Sequence, residues 1–353
     1  MNTGRFKFTE NLIIMGNQSA DLDSVVSSFS MSAFLTSLNP RIQIFPVIQG
    51  HPGDLRLKPE IRALMTHLGI DLKSYHFLSE MEDWPHDAHS IVLMDHNKPD
   101  TSCLHHKIAG IVDHHEDQGL YQDLSLREIK KTGSCATLVS TFWKTSGLDL
   151  PYSQRILLAA AIGVDTGYLN PEWDKTTVMD YDAYQWLTRA IQEEDQAFIE
   201  SLITIKNDLS HLTLADHLKR DFKIFPLLEG KGGIASIPLE AQRVFSNGFY
   251  SHRAITEFCK LQNLKFLLIL HTIDQPFKRE LSLYVPPSPE ERAIRKQIET
   301  ALVSLKEPGI RRADMILHKE WQFFSQQDSR VSRKGLTPLL SQELLSQSGP
   351  LNC

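Results

Sequence analysis

Apolar residues fall along this chain in short runs that stop at a polar or acidic residue, and the runs alternate with stretches of helical spacing. Asn11-Leu-Ile-Ile-Met15 is a continuous apolar run closed by Gly16, the pattern of a buried strand. From Asp23 to Leu38 the period becomes helical, with Val25, Phe29 and Ala33 on one face and Pro40 beyond the end. Residues 42–47 read as a second strand and 58–68 as a second helix. Residues 90–94 and 108–112 are further strands, each followed by Asp, and 133–146 and 153–164 further helices. Such interleaving predicts a parallel sheet covered by helices on both faces. Ligands in these sheets bind at the carboxyl ends of the strands, where Asp95 and Asp113 fall.

Residues 175–209 read as one long charged helix leading out of this domain. Beyond it, Gly230-Lys-Gly-Gly233 reads as a hairpin turn, followed by strands at 234–237, 266–270 and 281–285 and a helix at 289–305. The tail after Leu340 reads as frayed or as a short surface helix. The boundary falls near 200–212, giving an α/β domain over 1–205 and a smaller α/β domain over 206–345.

Composition fits this division. A chain of 353 residues suits two ordinary cores, and 41% hydrophobic with 23% charged residues is a globular balance. No apolar run approaches the roughly 20 residues that span a bilayer. The first strand begins too near the N-terminus to leave room for a signal peptide. Cys103, Cys135, Cys259 and Cys353 form no CxxC pair, so neither a zinc site nor a disulfide framework is indicated, and reduced thiols in the cytoplasm are expected. The net charge of −6 argues against a nucleic-acid coat. Residues 306–334 nevertheless hold seven Lys/Arg against four Asp/Glu, either a local anion site or a solvated surface.

The chemistry concentrates in four clusters: Asn17 with Asp21 and Asp23, then Asp95, then Asp113-His114-His115, then Asp165. Each sits where an apolar segment ends. Asp21 and Asp23, two residues apart at a strand-to-helix turn, can address neighbouring cation positions, although either could simply cap the helix. The helix N-terminus behind them favours phosphate. A buried Asp followed by two imidazoles carries a desolvation cost that needs partners. Together these donors suit hard divalent ions, Mg²⁺ or Mn²⁺. A pair of such ions stabilises in-line displacement at phosphorus. Gly133-Ser134-Cys135 opens a helix and could hold phosphate through its N–H groups or be an ordinary N-cap. Cys135 is not needed as a nucleophile, and His51, His86, His89, His105 and His106 read as surface or loop residues.

Asn17-x-x-x-Asp21-x-Asp23, the lone Asp95, Asp113-His114-His115 and Asp165-Thr166 resemble, in order and spacing, the four motifs of the DHH phosphoesterase superfamily. The second half resembles the accessory domain of family II inorganic pyrophosphatases, exopolyphosphatases and prune proteins. Residues 212–223 resemble its opening helix and Ser332-Arg-Lys-Gly-Leu-Thr-Pro-Leu339 its closing basic motif. The resemblance implies that Asp21 binds one metal and Asp23 the other, that Asp95 bridges them, and that His114 and Asp165 complete the coordination of the second metal. It implies that Asp113 supports them and His115 faces the substrate phosphate. It also implies a cleft between the domains, with Lys223, Arg333 and Lys334, and less directly Arg279, gripping phosphates. Pyrophosphatases of the family begin the first motif with His, whereas this chain has Asn17, a harder donor or an outer hydrogen bond that favours Mg²⁺ over Mn²⁺ or Co²⁺. That Asn and the intact Asp-His-His triplet resemble yeast-type exopolyphosphatase. The expectation is therefore a monomeric enzyme using two divalent ions to release terminal phosphate from polyphosphate. Alternatives are a pyrophosphatase, a short-chain polyphosphate or nucleotide phosphohydrolase, and a prune-like interaction protein.

Overall fold

The computed structural model describes residues 3–72, 75–80, 89–99, 106–173, 175–208, 212–227, 230–246, 249–274 and 277–347. Cys103, Cys353, His86 and His105 lie outside the described residues, as do the side chains of His89 and Lys334. The chain divides into two compact units, residues 1–209 and 210–353.

The first unit carries the parallel sheet. Its strands are β1 (Asn11–Met15), β2 (Ile44–Ile48), β3 (His76–Phe77), β4 (His89–Met94), β5 (Lys107–Asp113) and β6 (Leu126–Ile129), in the order β3-β2-β1-β4-β5-β6. The order reverses between β1 and β4: the chain first winds outward through β2 and β3, then outward the other way through β5 and β6. In-register pairs such as Met15 with Leu93 and Met94 with Val112 bring the carboxyl ends of β1, β4 and β5 level. That switch point is where open α/β sheets bind ligands.

Helices α1 (Leu22–Leu38), α2 (Pro59–His67), α3 (Cys135–Ser146), α4 (Tyr152–Thr166), α5 (Val178–Thr188) and α6 (Glu193–Asn207) surround this sheet. Leu12 and Ile14 of β1 point into one buried cluster, with Phe34, Phe142 and Leu157, and Ile13 and Met15 into another, with Val47, Ile91 and Ile111. This alternation on a strand buried on both faces explains the continuous apolar run. Gly16 allows close approach at its end: a Cβ there would stand 2.3 Å from Ser24 Oγ, the atom that accepts from Asn17 N at 2.7 Å. The single helix expected over 175–209 is two. Thr177 opens α5 with a capping box to Asp180, and the helical path breaks between Thr188 and Glu193.

The second unit is a mixed sheet of β7 (Phe222–Leu227), β8 (Gly230–Ile237), β9 (Leu264–Asp274), β10 (Phe277–Tyr284), β11 (Ile310–Arg312) and β12 (Trp321–Gln326), ordered β11-β12-β10-β9-β8-β7. Among the described residues of this sheet, β8 and β9 pair parallel and the other neighbours antiparallel. Phe266, Leu268 and Leu270 of β9 join the core that includes Ile298, Leu302, Leu336 and Leu340, from α10 (Glu291–Ser304) and α11 (Arg333–Gln347). Leu267 and Ile269 face the other core, with α7 (Leu214–Arg220), α8 (Ala241–Ser246) and α9 (His252–Leu261). Three expectations are corrected here. Gly230-Lys-Gly-Gly233 lies within β8, because a Cβ on Gly233 would stand 2.7 Å from Leu264 and 2.8 Å from Phe222. Lys223 lies on β7, not on the opening helix, which stops at Arg220. The C-terminal segment is not a surface tail: α11 buries Leu340 and Leu344. No helix among the described residues is long and apolar enough to cross a membrane.

Candidate metal centre

Three strand ends and two helix ends supply the site. Asn17 follows β1, Asp21 caps α1, Asp23 lies in its first turn, Asp95 follows β4, Asp113 ends β5, and Asp165 lies in the last turn of α4. Asp21 accepts from Ser24 N at 3.1 Å through Oδ1, so the capping role is real. Asp23 is almost wholly buried, and both its oxygens are engaged. Oδ1 accepts from Ser27 Oγ, Ser134 Oγ and Ala136 N at 3.1, 2.7 and 2.9 Å, and Oδ2 from Cys135 N at 2.6 Å. The α3 N-terminus is thus filled by a protein carboxylate, so the phosphate reading of Gly133-Ser134-Cys135 gives way to Asp23, with Ser134 as N-cap. Cys135 is fully buried, and burial together with Asp23, Asp95 and Asp113 pushes its thiol well up, far from nucleophilic use.

Asp95 occupies the centre. Its backbone is left-handed (φ 63°), a conformation that Asp tolerates better than most residues and one often found at functional sites. Asn17 Nδ2 donates to Asp95 Oδ2 at 2.7 Å, and His114 Nε2 lies 3.1 Å from Asp95 Oδ1 and 3.8 Å from Asp23 Oδ2. Ligand atoms of Asp95, His114 and His115 all fall within 4.8 Å of one another. His114 Nδ1 donates to Thr132 O at 2.9 Å, which fixes the ring and turns Nε2, the atom a metal would take once it is deprotonated, toward two carboxylates.

Asp113 is fully buried and acts as a bracket. Its Oδ1 accepts from His114 N, His115 N and His115 Nδ1 at 2.8, 3.2 and 2.8 Å, and its Oδ2 from Asn97 Nδ2. Burial alone would raise its pKa, but these hydrogen bonds outweigh that and hold it below the ordinary value. His115 itself is 57% exposed and, with Nδ1 on Asp113, presents Nε2 outward.

The electrostatics show what the cluster lacks. Burial, then the charges of Asp23 and Asp21, push Asp95 well above the usual carboxylate range. The same causes raise Asp165 to about 7 against the weaker opposing pull of Lys206 and Lys175, and Asp165 also faces the negative end of the α4 dipole. Burial would lower His114, yet Asp95, Asp23 and the Thr132 carbonyl raise it to about 10. Asp95 Oδ1 is buried without a well-formed hydrogen bond. Carboxylates crowded together and pushed toward protonation, around an imidazole that only they hold charged, are what a divalent cation would relieve by displacing protons, so the donor set fits such ions.

The basic candidates belong to the second unit. Arg333 is 7% exposed and donates from Nε and Nη2 to Asp221 Oδ1 at 3.0 and 2.6 Å. Arg279 is half-buried, donates from Nη1 to Val331 O at 2.9 Å and lies over the Phe277 ring. Lys223 is exposed on the edge strand β7. Sequence reasoning missed Asn97 and Thr132, which orient the ligands, and read Ser134 as a cap or phosphate holder without its bond to Asp23. Only Asn97 carried a signal, two residues after Asp95.

Residues 11–164 match the DHH family, N-terminal domain, and residues 200–342 the DHHA2 domain. The chain is 28% identical to "Putative exopolyphosphatase" of Schizosaccharomyces pombe, over 93% of this chain and 89% of that protein. It is 24% identical to exopolyphosphatase PRUNE1 of Rattus norvegicus, over 94% and 75%. To the manganese-dependent inorganic pyrophosphatase of Methanothrix thermoacetophila it is 23% identical, over 65% and 70%. The fold is similar to the crystal structure of a putative family II inorganic pyrophosphatase from Methanococcus jannaschii, with TM-score 0.57, 19% identity, and 95% and 99% of the two chains covered.

Proposed function

We propose that this chain, which belongs to the DHH family and carries a DHHA2 domain behind it, is a divalent-metal-dependent phosphohydrolase that releases orthophosphate from the end of inorganic polyphosphate. The observation that carries the reading is the crowding of buried Asp23 and Asp95 and half-buried Asp165 around His114, with Asp95 and Asp165 pushed toward protonation by their neighbours. In this reading Asp21, Asp23, Asp95, His114 and Asp165 hold two cations, Mg²⁺ first and Mn²⁺ or Co²⁺ as substitutes, and Asn17 either joins them or holds Asp95 in place. Such ions, when bound, make water a stronger acid and draw charge from phosphoryl oxygens.

The chain's own groups do the rest. Asp113 fixes the His115 ring through Nδ1, so a protonated ring donates from Nε2 to the bridging oxygen as the terminal P–O bond breaks. Water supplies the new P–O bond, and the shortened polyphosphate leaves. Arg333, Lys334, Lys223 and Arg279 are the cations proposed to hold phosphates behind the scissile one. The exopolyphosphatase names of the two most similar relatives reported above and the Asn at position 17 support this substrate.

The second reading, a pyrophosphatase, draws on the Methanothrix relative and uses the same residues. Phosphate release from pyrophosphate, tripolyphosphate and long polyphosphate, with product lengths resolved on gels, separates the two. A polyphosphate enzyme shortens long chains one phosphate at a time in Mg²⁺ and stops in EDTA. Turnover of pyrophosphate alone would overturn the reading.

A further inference from the structure

We propose that Asp180 is a positioning residue for the metal centre, acting through the segment 132–137; this rests on the metal-binding reading above. Asp180 belongs to α5, outside the four acidic clusters, and is fully buried. Locally it forms a capping box: its Oδ2 accepts from Thr177 N and Thr177 Oγ1, both at 2.7 Å. A capping box needs nothing more. Asp180 also accepts from Gly133 N at 2.8 Å through Oδ2 and from Thr137 Oγ1 at 2.5 Å through Oδ1, both more than forty residues away. It therefore grips both ends of the first turn of α3.

That turn is where the ligands are aligned. Thr132 O accepts from His114 Nδ1 and so sets which nitrogen of His114 faces Asp95. Ser134 Oγ, Cys135 N and Ala136 N hold Asp23. Gly133 is wedged against the residue after Asp165: an added Cβ would stand 2.5 Å from Thr166 Cγ2 and 3.2 Å from Asp180 Oδ2. One segment thus touches His114, Asp23 and the turn that carries Asp165, and Asp180 anchors it from behind. Partners that orient metal ligands typically change metal affinity by about 10–100-fold when removed.

The test is Mn²⁺ binding, read from the loss of the free-ion signal in electron paramagnetic resonance, on the full chain without substrate. Asp180→Ala is expected to weaken Mn²⁺ binding by about 10–100-fold. Asp180→Asn should recover most of that loss, because the amide oxygen still accepts from Gly133 N and the Thr137 hydroxyl can turn to accept from the amide. Leu64→Ala, a core change on α2, should lower thermal stability without weakening Mn²⁺ binding. A folded Asp180→Ala with wild-type affinity overturns the proposal. So does a folded Asp180→Asn as weak as the alanine variant, which would place the effect in charge, or an equal loss in Leu64→Ala. Should Asp180→Ala fail to fold, Thr137→Val decides: weakened binding supports the anchor and unchanged binding refutes it. Absence of Mn²⁺ binding by the wild-type chain would instead defeat the metal reading itself.

Discussion

In the first unit the carboxylates of the site are buried or half-buried and share one sign, with Asp95 and Asp165 pushed toward protonation by burial and by their neighbours. In the second unit the guanidiniums have protein acceptors: Arg333 is held by Asp221 and Arg279 donates from Nη1 to Val331 O, though its buried Nε has no partner among the described residues, and Lys223 stands in solvent. The first arrangement calls for a charge from outside, whereas in the second Arg333 is already paired by the protein itself. A buried excess of one charge costs several kcal/mol per ion unless something compensates it, so the first unit points to its own ligand. A guanidinium paired in place points only to its partner, and its use on phosphate has to be established by function.

The comparison is broken most severely at His115. Its exposed ring is bonded to Asp113 at 2.8 Å, lies 3.7 Å from Asp95 and meets the His114 ring edge-on, so on the proposed reading it should serve the reaction more than the ions. His115→Ala is expected to lower kcat by about 10²–10⁴-fold with Mn²⁺ affinity nearly unchanged. His114→Ala should reduce both. Steady-state kinetics beside a metal titration check this, and the reverse pattern would exchange the two roles.

Arg333 is the corresponding point in the second unit. Arg333→Ala should lower kcat/KM on long polyphosphate by about 10–100-fold, the scale of charge-assisted hydrogen bonds. The loss should be smaller on tripolyphosphate and should shrink at high salt. Equal losses on both substrates at every ionic strength would remove the case for a long-chain grip.

The two units should also respond to pH with opposite sign when free of metal. In the first, Asp165 and His114 have raised folded pKa values, about 7 and about 10, so the folded state binds more protons than the unfolded one. Their contribution is full at low pH and is lost as pH rises from about 4 to about 10. In the second, His271 is fully buried, and burial lowers it to about 4 while Nδ1 donates to Leu239 O and Nε2 faces Ser282 Oγ. There the unfolded state binds more protons, so stability is lost as pH falls from about 6.5 to about 4, by about 1–3 kcal/mol. Hydrogen exchange by peptide, corrected for intrinsic rates, reads each unit separately. Slopes of the same sign in both would contradict these assignments, and added Mg²⁺ should flatten the slope of the first unit.

The smallest effect is expected at Asn17. Its amide donates to Asp95 Oδ2, so Asn17→His exchanges that bond for a softer nitrogen donor. Mn²⁺ or Co²⁺ should gain a few-fold over Mg²⁺ in competition titrations. An unchanged ratio would mean that Asn17 only orients Asp95.

Much of this was legible in the sequence where one residue's environment is set by its own segment. The runs at 11–15, 90–94 and 108–112 are strands because both faces are buried, and the Asp after each of the last two marks the sheet's carboxyl edge. The strand at Leu126–Ile129 was not found, since Leu-Arg-Glu-Ile is an edge strand with three half-buried residues. The break between α5 and α6 carries no Gly or Pro, so periodicity ran through it. Glycine in Gly230–Gly233 suggested a turn, but its role is to admit Phe222 and Leu264. At the site, the acidic and imidazole ligands announce themselves by type and spacing. Thr132 and Asp180 do not, because single polar residues acquire meaning only from partners between 18 and 47 positions away.

The most direct test is calorimetric titration of metal-free protein with Mn²⁺ at pH 7, repeated in buffers of different ionisation enthalpy and with Asp95→Ala. Protons that His114 and Asp165 hold at this pH must leave when a cation takes their place. The wild-type chain should bind two equivalents and release protons, and Asp95→Ala should lose at least one of the two. Wild-type protein that binds no Mn²⁺, or an Asp95→Ala variant that binds both ions with undiminished affinity, would contradict the account.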